Sequence, residues 1–263
     1  MEPPTILLTN DDGIESAGLR ALYDALSSIA DVTVVAPAEN QSATGRSISY
    51  ESVSVEERDL GYAIGGTPVD CVIAGLRSLA EPPDLVVAGC NQGANLGSYV
   101  LGRSGTVSAA VEAAFFGVPA MAVSLYVPPR DPDDFEEVVA VQDNYAEAAR
   151  AARYLVERGF GTGLFEAADY LNLNAPLPTG EPKRMEVTRP ATAYEMDATR
   201  NGDRVTLHDR VWERLGAGEV DAGEGTDRRA IVEGRVSVSP LTVPHITRDH
   251  ESLDELAAAY PDG

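Results

Sequence analysis

The chain has 263 residues, enough for one sizeable α/β domain and too few for two ordinary domains with separate cores. Its apolar fraction of 44% is that of a globular protein rather than a disordered or fibrous one. With 42 acidic and 20 basic residues the formal net charge is -22, a surface that repels nucleic acid and anionic membranes.

Lys183 is the only lysine and every other basic residue is arginine. Acidity with so little lysine points to a salt-rich cytoplasm, where a Debye length of about 3 Å at 1 M salt removes most of the self-repulsion. An anionic ligand entering such a protein needs local cations or backbone amides to reverse the potential. Cys71 and Cys90 cannot build a disulfide framework, have no metal-ligand spacing and read as small buried hydrophobes. No uninterrupted apolar stretch approaches the roughly 18 residues of a membrane span, and the first strand follows at once on a start without a basic, apolar leader. The expected location is cytoplasmic.

Taken in chain order, Thr5 to Thr9 (TILLT) is a short buried strand, and Leu19, Leu22 and Leu26 then recur at helical spacing. Val32 to Ala36 (VTVVA) is a second buried strand stopped by Pro37, which completes a βαβ unit and makes the sheet parallel. Asn40 to Tyr50, rich in Ser, Thr and Gly, reads as a loop leading into polar, alternating structure. Asp70 to Leu79 is a helix, and Asp84 to Gly89 (DLVVAG) a strand that ends in the polar run Cys90 to Gly97. Ser104-Gly105-Thr106 opens an alanine-rich helix through Phe116, with Gly117 as its stop, and Pro119 to Ser124 follows as a strand.

One long amphipathic helix is expected from Asp134 to Arg158, presenting Val138, Val141, Tyr145, Ala148, Ala152 and Leu155 on one face. Tyr170 to Asn174 is a strand closed by Ala-Pro. From about Arg184 to Thr226 the pattern turns to short alternating runs, Met185 to Thr188 and Arg204 to Leu207, with Asn201-Gly202 as a turn, and reads as a β-hairpin arm. Arg235 to Pro240 is a strand and Glu251 to Tyr260 a short C-terminal helix. The whole is one domain over 1–263, with 184–226 as an oligomerisation arm and 251–260 as the terminal helix.

In an open parallel sheet ligands bind beyond the carboxyl ends of the strands. The polar loops expected there concentrate oxygen: Asp11 and Asp12 after the first strand, Ser42 after the second, Asn91 and Asn95 after the third, and Ser104, Gly105 and Thr106 at a helix start. Two adjacent carboxylates behind a buried strand raise each other's pKa unless donors or a cation offset them, although a helix cap and turn is the simpler use of the same pair. Oxygen ligation suits magnesium, manganese or calcium better than zinc. His208, His245 and His250 lie late in the chain and read as surface or hairpin residues. Ser104-Gly105-Thr106 offers amides, hydroxyls and the positive end of a helix dipole, a cradle for phosphate as well as an ordinary cap.

Taken together, five collinear motifs resemble the SurE-type survival proteins, which are 5'/3'-nucleotidases. They are Thr9-Asn10-Asp11-Asp12-Gly13-Ile14; Ala36-Pro37 with Ser42-Ala43-Thr44-Gly45; Gly66-Thr67-Pro68 with Asp70-Cys71-Val72; Gly89-Cys90-Asn91-Gln92-Gly93 with Asn95-Leu96-Gly97; and Ser104-Gly105-Thr106-Val107. Weaker echoes follow in Leu171 to Pro176, in Thr226-Asp227 and in Gly234 to Leu241. Arg103 stands where relatives often carry an aromatic residue or histidine, Arg235 where they usually carry tyrosine, and 189–226 lacks the family's usual wording.

The resemblance implies a three-layer Rossmann-like, mainly parallel sheet, one divalent cation per subunit (Mg2+ or Mn2+), hydrolysis of nucleoside 5'- and 3'-monophosphates, and a homodimer or homotetramer with exchanged C-terminal elements. By motif it assigns the metal to Asp11, Asp12, Ser42 and Asn91, and the phosphate to Asn95, Ser104, Gly105 and Thr106. Asp11, Asp12 and Asn95 become the catalytic set, with Asp11 first in line to orient or deprotonate water and Asp12 chiefly a ligand. A non-catalytic nucleotide or metal binder on a doubly wound fold is the rival reading. A dinucleotide oxidoreductase is disfavoured, because Asn10-Asp11-Asp12-Gly13-Ile14 occupies the place of its glycine-rich turn.

Overall fold

Strands buried on both faces carry apolar residues in continuous runs, and the first strand follows this rule. In β1 (Thr5–Thr9) Ile6 and Leu8 face one side and Leu7 the other, and all three are fully buried. At about 1.5–3 kcal/mol per buried aliphatic side chain, such a strand is held by its neighbours on both sides. The computed structural model describes residues 3–128, 131–217, 219, 222–243 and 259. The expected C-terminal helix at 251–260 lies, except for residue 259, outside them, as do His245 and His250.

After β1 come α1 (Ala17–Leu26), β2 (Asp31–Pro37), an edge hairpin of β3 (Val55–Arg58) and β4 (Gly61–Ile64), and α2 (Pro68–Ala74). Next are β5 (Leu85–Gln92), α3 (Ser98–Leu101), α4 (Gly105–Phe115), β6 (Ala120–Tyr126), α5 (Pro132–Val139), α6 (Ala146–Gly159), α7 (Leu164–Ala167) and β7 (Tyr170–Pro176). The chain continues through β8 (Met185–Val187), β9 (Met196–Asn201), β10 (Arg204–Asp209), α8 (Arg210–Gly216), α9 (Asp227–Val232) and β11 (Val236–Leu241).

Among the described residues nine strands form one sheet, in the order β3-β4-β2-β1-β5-β6-β7-β11-β8. From β4 to β7 the neighbours are parallel, β3 runs against β4, and β11 runs against β7 but parallel to β8. Leu19, Leu22 and Leu26 of α1 and the alanine face of α6 cover one side of the sheet. Cys71 and Val72 of α2 with Val107, Ala109, Ala110 and Ala113 of α4 cover the other, which makes three layers. The chain leaves β1 toward β2 and returns to β1's other edge as β5, so the order reverses between β1 and β5. At such a switch point the loops at the strands' carboxyl ends part and leave a crevice.

Several expected elements come out differently. The single helix over 134–158 is broken: Val141 is extended and half-exposed, Gln142–Tyr145 forms one tight turn, and α6 starts afresh. Side chains replace the helical bonds there, since the Asn144 amide donates to the Val138 carbonyl at 2.8 Å and the Tyr145 hydroxyl to the Val139 carbonyl at 2.8 Å. The helix expected from Asp70 begins earlier, because Thr67 and Asp70 close a reciprocal capping box ahead of it. β5 runs past Gly89 to Gln92, with a shift of register between Ala88 and Asn91.

The hairpin arm is narrower than 184–226. Met185–Val187 is not in it, but pairs in parallel with β11 as an edge strand of the main sheet. The arm is β9 and β10 alone, joined by a two-residue Gly202-Asp203 turn in which Gly202 takes φ +64. His208 lies in it, half-buried, and both cysteines are buried.

Candidate functional site

The loop after β1 is shaped by its own side chains. The Asn10 amide donates to the Gly13 carbonyl and to the Ser16 hydroxyl, both at 2.8 Å, and Ser16 in turn caps α1. Gly13 takes φ +100 against the backbone of Glu39, a conformation open to glycine. This turn places Asp11 and Asp12 at the switch point.

Three other segments are bonded to that turn. The Gln41 N–H donates to the Asp11 carbonyl at 2.6 Å, which brings the loop carrying Ser42. The Gln92 N–H donates to Asp12 Oδ2 at 3.0 Å and brings the end of β5 with Asn91. From α4, the Thr106 hydroxyl donates to Asp11 Oδ1 at 2.5 Å and its N–H to Oδ2 at 3.1 Å. The four expected metal ligands and the helix start therefore share one rim of the sheet.

Three of those ligand atoms have no hydrogen-bond partner among the described residues. Asp12 Oδ1 is one. Asn91 Oδ1 is another, because Nδ2 of the same amide is turned onto the Gly93 carbonyl at 2.5 Å. The third is the hydroxyl of Ser42, which is exposed and whose N–H is bonded to Asn40 Oδ1 at 2.7 Å. Burial raises the Asp11 carboxyl above its ordinary value against the opposing bonds from Thr106. Burial first, and then the neighbouring Asp11 charge, push Asp12 up to about 8, with the Gln92 N–H opposing. No arginine or lysine pairs with either carboxylate among the described residues, so the charge this site lacks is positive.

The residues expected around phosphate divide. Ser104 accepts from the Val107 N–H at 3.1 Å as the cap of α4, which leaves its hydroxyl hydrogen to donate. Thr106 does not face open space: both its hydroxyl and its N–H are committed to Asp11, so it positions that carboxylate. Gly105 lies directly against Asp11, and a Cβ there would come within 2.8 Å of Asp11 Cβ and Oδ2. Asn95 is buried, gives one Nδ2 hydrogen to the Ser124 hydroxyl at 2.9 Å, and is held through its backbone by Asn174 and Asn172.

Reasoning from the sequence missed that second tier. Ser124, Asn172 and Asn174 sit inside strands that are otherwise apolar, and a pair of asparagines two residues apart in a buried strand was the available signal. Asp227 belongs to the weaker echo Thr226-Asp227. It is fully buried and accepts from the N–H groups of Gly97 at 2.7 Å, Ala191 at 2.9 Å and Arg228 at 2.7 Å. Burial raises its carboxyl in spite of those three bonds.

The profile of the family described as survival protein SurE matches residues 6–197. The chain belongs to the SurE family. It is 62% identical over 260 residues to the 5'-nucleotidase SurE of Haloarcula marismortui, covering 99% of this chain and 96% of that one. To the 5'-nucleotidase SurE of Natronomonas pharaonis it is 60% identical, covering 97% and 99%. These relatives are halophilic archaea, as the acidic, lysine-poor SurE surface here suggests. The crystal structure of the SurE protein from Aquifex aeolicus superposes with a TM-score of 0.77 at 34% identity, covering 98% of this chain and 100% of that one. The SurE resemblance read from the motifs, and the mainly parallel three-layer fold it implied, therefore hold. Among the described residues no helix is long and apolar enough to cross a membrane.

Proposed function

We propose that this SurE chain is a metal-dependent 5'-nucleotidase that hydrolyses nucleoside 5'-monophosphates, and 3'-monophosphates with them, to nucleoside and phosphate. One observation carries the reading: two adjacent carboxylates with no basic partner among the described residues stand at the switch point, Asp11 buried and hydrogen-bonded to the start of α4, Asp12 half-buried and hydrogen-bonded to the end of β5. A phosphate at that helix start meets the positive end of a dipole. The names of the halophilic relatives support the same activity.

The donor set fits a hard divalent cation. It is all oxygen, two of its members are carboxylates raised by burial, and three of its atoms are unclaimed. Asp11, Asp12, Ser42 and Asn91 would hold the ion, with Mg2+ or Mn2+ the best suited. Bound there, it would supply positive charge against a phosphoryl oxygen and acidity to the attacking water. Asp11, fixed through both oxygens by Thr106, orients the attacking water and takes its proton. Ser104 and the Gly105 amide stabilise phosphoryl oxygens, together with the free Nδ2 hydrogen of Asn95. The protein acts as a homodimer or homotetramer in a salt-rich cytoplasm, and the exposed Val205 and Leu207 of the hairpin arm support a contact with another copy.

The test is phosphate release from AMP, GMP, CMP and UMP in molar salt with Mg2+ or Mn2+, and with EDTA as control. Turnover that depends on added metal is expected. Nucleotide binding without release, or turnover that survives EDTA, refutes the proposal.

A further inference from the structure

We propose that Tyr99, Arg103 and Tyr194 form the platform that receives the nucleobase, so that this cluster sets affinity for the nucleoside half of the substrate. The inference rests on the phosphomonoesterase reading above and adds the part of the molecule that recognises what the phosphate is attached to.

Arg103 immediately precedes Ser104, the cap of α4, and its carbonyl accepts the Gly45 N–H at 3.2 Å. Its backbone thus joins the start of α4 to the loop that carries Ser42. From there its guanidinium lies 5.2 Å from the ring centre of Tyr99 and 5.8 Å from that of Tyr194, and it donates to the Tyr194 hydroxyl at 3.3 Å. The two rings meet edge to face, with centroids 5.1 Å apart. A nucleobase lies one ribose from its phosphate, and this cluster begins one residue from the expected phosphate donors.

Two features set the cluster apart from ordinary packing. Tyr194 is 56% exposed and Arg103 is exposed, so a flat ligand has access to ring and guanidinium surface. In a chain of net charge -22, Arg103 has no carboxylate partner among the described residues. Solvent-exposed arginine stacked on tyrosine offers a base both a π face and N–H donors for its carbonyl and ring-nitrogen acceptors.

The platform is also rigid. The Tyr99 hydroxyl donates to Asp209 at 2.7 Å, and the Ser98 N–H donates to the Ala191 carbonyl at 2.9 Å. Beneath it, the buried Arg228 guanidinium lies 5.4 Å from the centre of the Tyr99 ring and donates to the Ala193 carbonyl at 3.0 Å. Aromatic surface held in place before binding loses little freedom when a base stacks on it.

The experiment compares the full chain with Tyr194→Ala and Tyr194→Phe in molar salt with Mn2+. It measures kcat and KM for GMP and AMP, and inhibition by guanosine and by inorganic phosphate. Tyr194→Ala should raise KM about tenfold with a smaller change in kcat, and weaken guanosine inhibition by a similar factor while phosphate inhibition stays as it was. Tyr194→Phe, which keeps the ring, should recover most of the lost affinity. Unchanged KM and guanosine inhibition overturn the proposal, whether or not the variant alters assembly. So does a parallel loss of guanosine and phosphate inhibition, which marks a distorted site. Failure of the unaltered chain to release phosphate from any nucleotide overturns the activity itself, a distinguishable result.

Discussion

Gly105→Ala separates catalysis from folding at this site. Gly105 is the first residue of α4 and its backbone is helical, so alanine introduces no strain in φ and raises helix propensity by up to about 1 kcal/mol. The new methyl would lie 2.8 Å from Asp11 Cβ and Oδ2 and 3.2 Å from Asp11 Cγ. Carbon atoms rest at about 3.5–4.0 Å, so at least about 0.7 Å must be absorbed by one side or the other. Asp11 has little freedom to retreat, because it is buried and both carboxylate oxygens are bonded to Thr106. Relief comes from sliding the start of α4 away from β1 or from turning the carboxylate off Thr106. The packing cost is about 1–3 kcal/mol, partly offset by the helix propensity. A misplacement approaching 1 Å at a reacting group costs about a hundredfold in rate. The variant should therefore fold, melt within several degrees of the parent, and lose about two orders of magnitude in kcat/KM for nucleoside monophosphates. Metal-dependent phosphate release and thermal unfolding in the same molar salt check both halves. Activity within twofold of the parent would show that Asp11 need not sit where Thr106 and Gly105 hold it.

Three further substitutions probe separate parts of the structure. Asp11→Asn should cut turnover by a hundredfold or more with a smaller loss of metal affinity, and Asp12→Asn should weaken the metal at least as much as turnover, by phosphate release and metal titration; equal losses in both variants remove the division of roles. Asp70 works against its burial through bonds from the N–H and hydroxyl groups of Thr67 and Ser49, and these hold its carboxyl below the usual value. A lowered carboxyl contributes stability that is full above the unfolded value of about 3.9 and is lost as pH falls through the folded one. Asp70→Asn should thus cost about 1–2 kcal/mol at pH 7 by denaturant unfolding, with the gap to the parent closing below pH 4. A gap that is constant with pH contradicts the assignment.

The central strands were legible in the sequence because apolar runs between polar loops can only be buried on both faces. The same runs located the loops at the strands' carboxyl ends, and with them Asp11, Asp12, Ser42 and Asn91. The start of α4 was legible from Ser104-Gly105-Thr106 by capping chemistry alone. The long helix over 134–158 was misread because its periodicity survives the break: Tyr145 and Ala148 stay buried although the backbone between Val141 and Tyr145 leaves the helix. Met185–Val187 was misread for a related reason, since three alternating residues look the same in an arm as at a sheet edge.

By itself, then, the sequence determined which residues are buried, where the loops fall and which oxygens those loops carry, since these depend on side-chain chemistry and short-range spacing. Tertiary structure alone decided who meets whom. The reversal of strand order between β1 and β5 brings Gln92 to Asp12, the bonds of Thr106 to Asp11 span 95 residues, and that of Gly97 to Asp227 spans 130. No local pattern encodes such partners, because a buried carboxylate requires a donor but its chemistry does not say which distant segment will bring one.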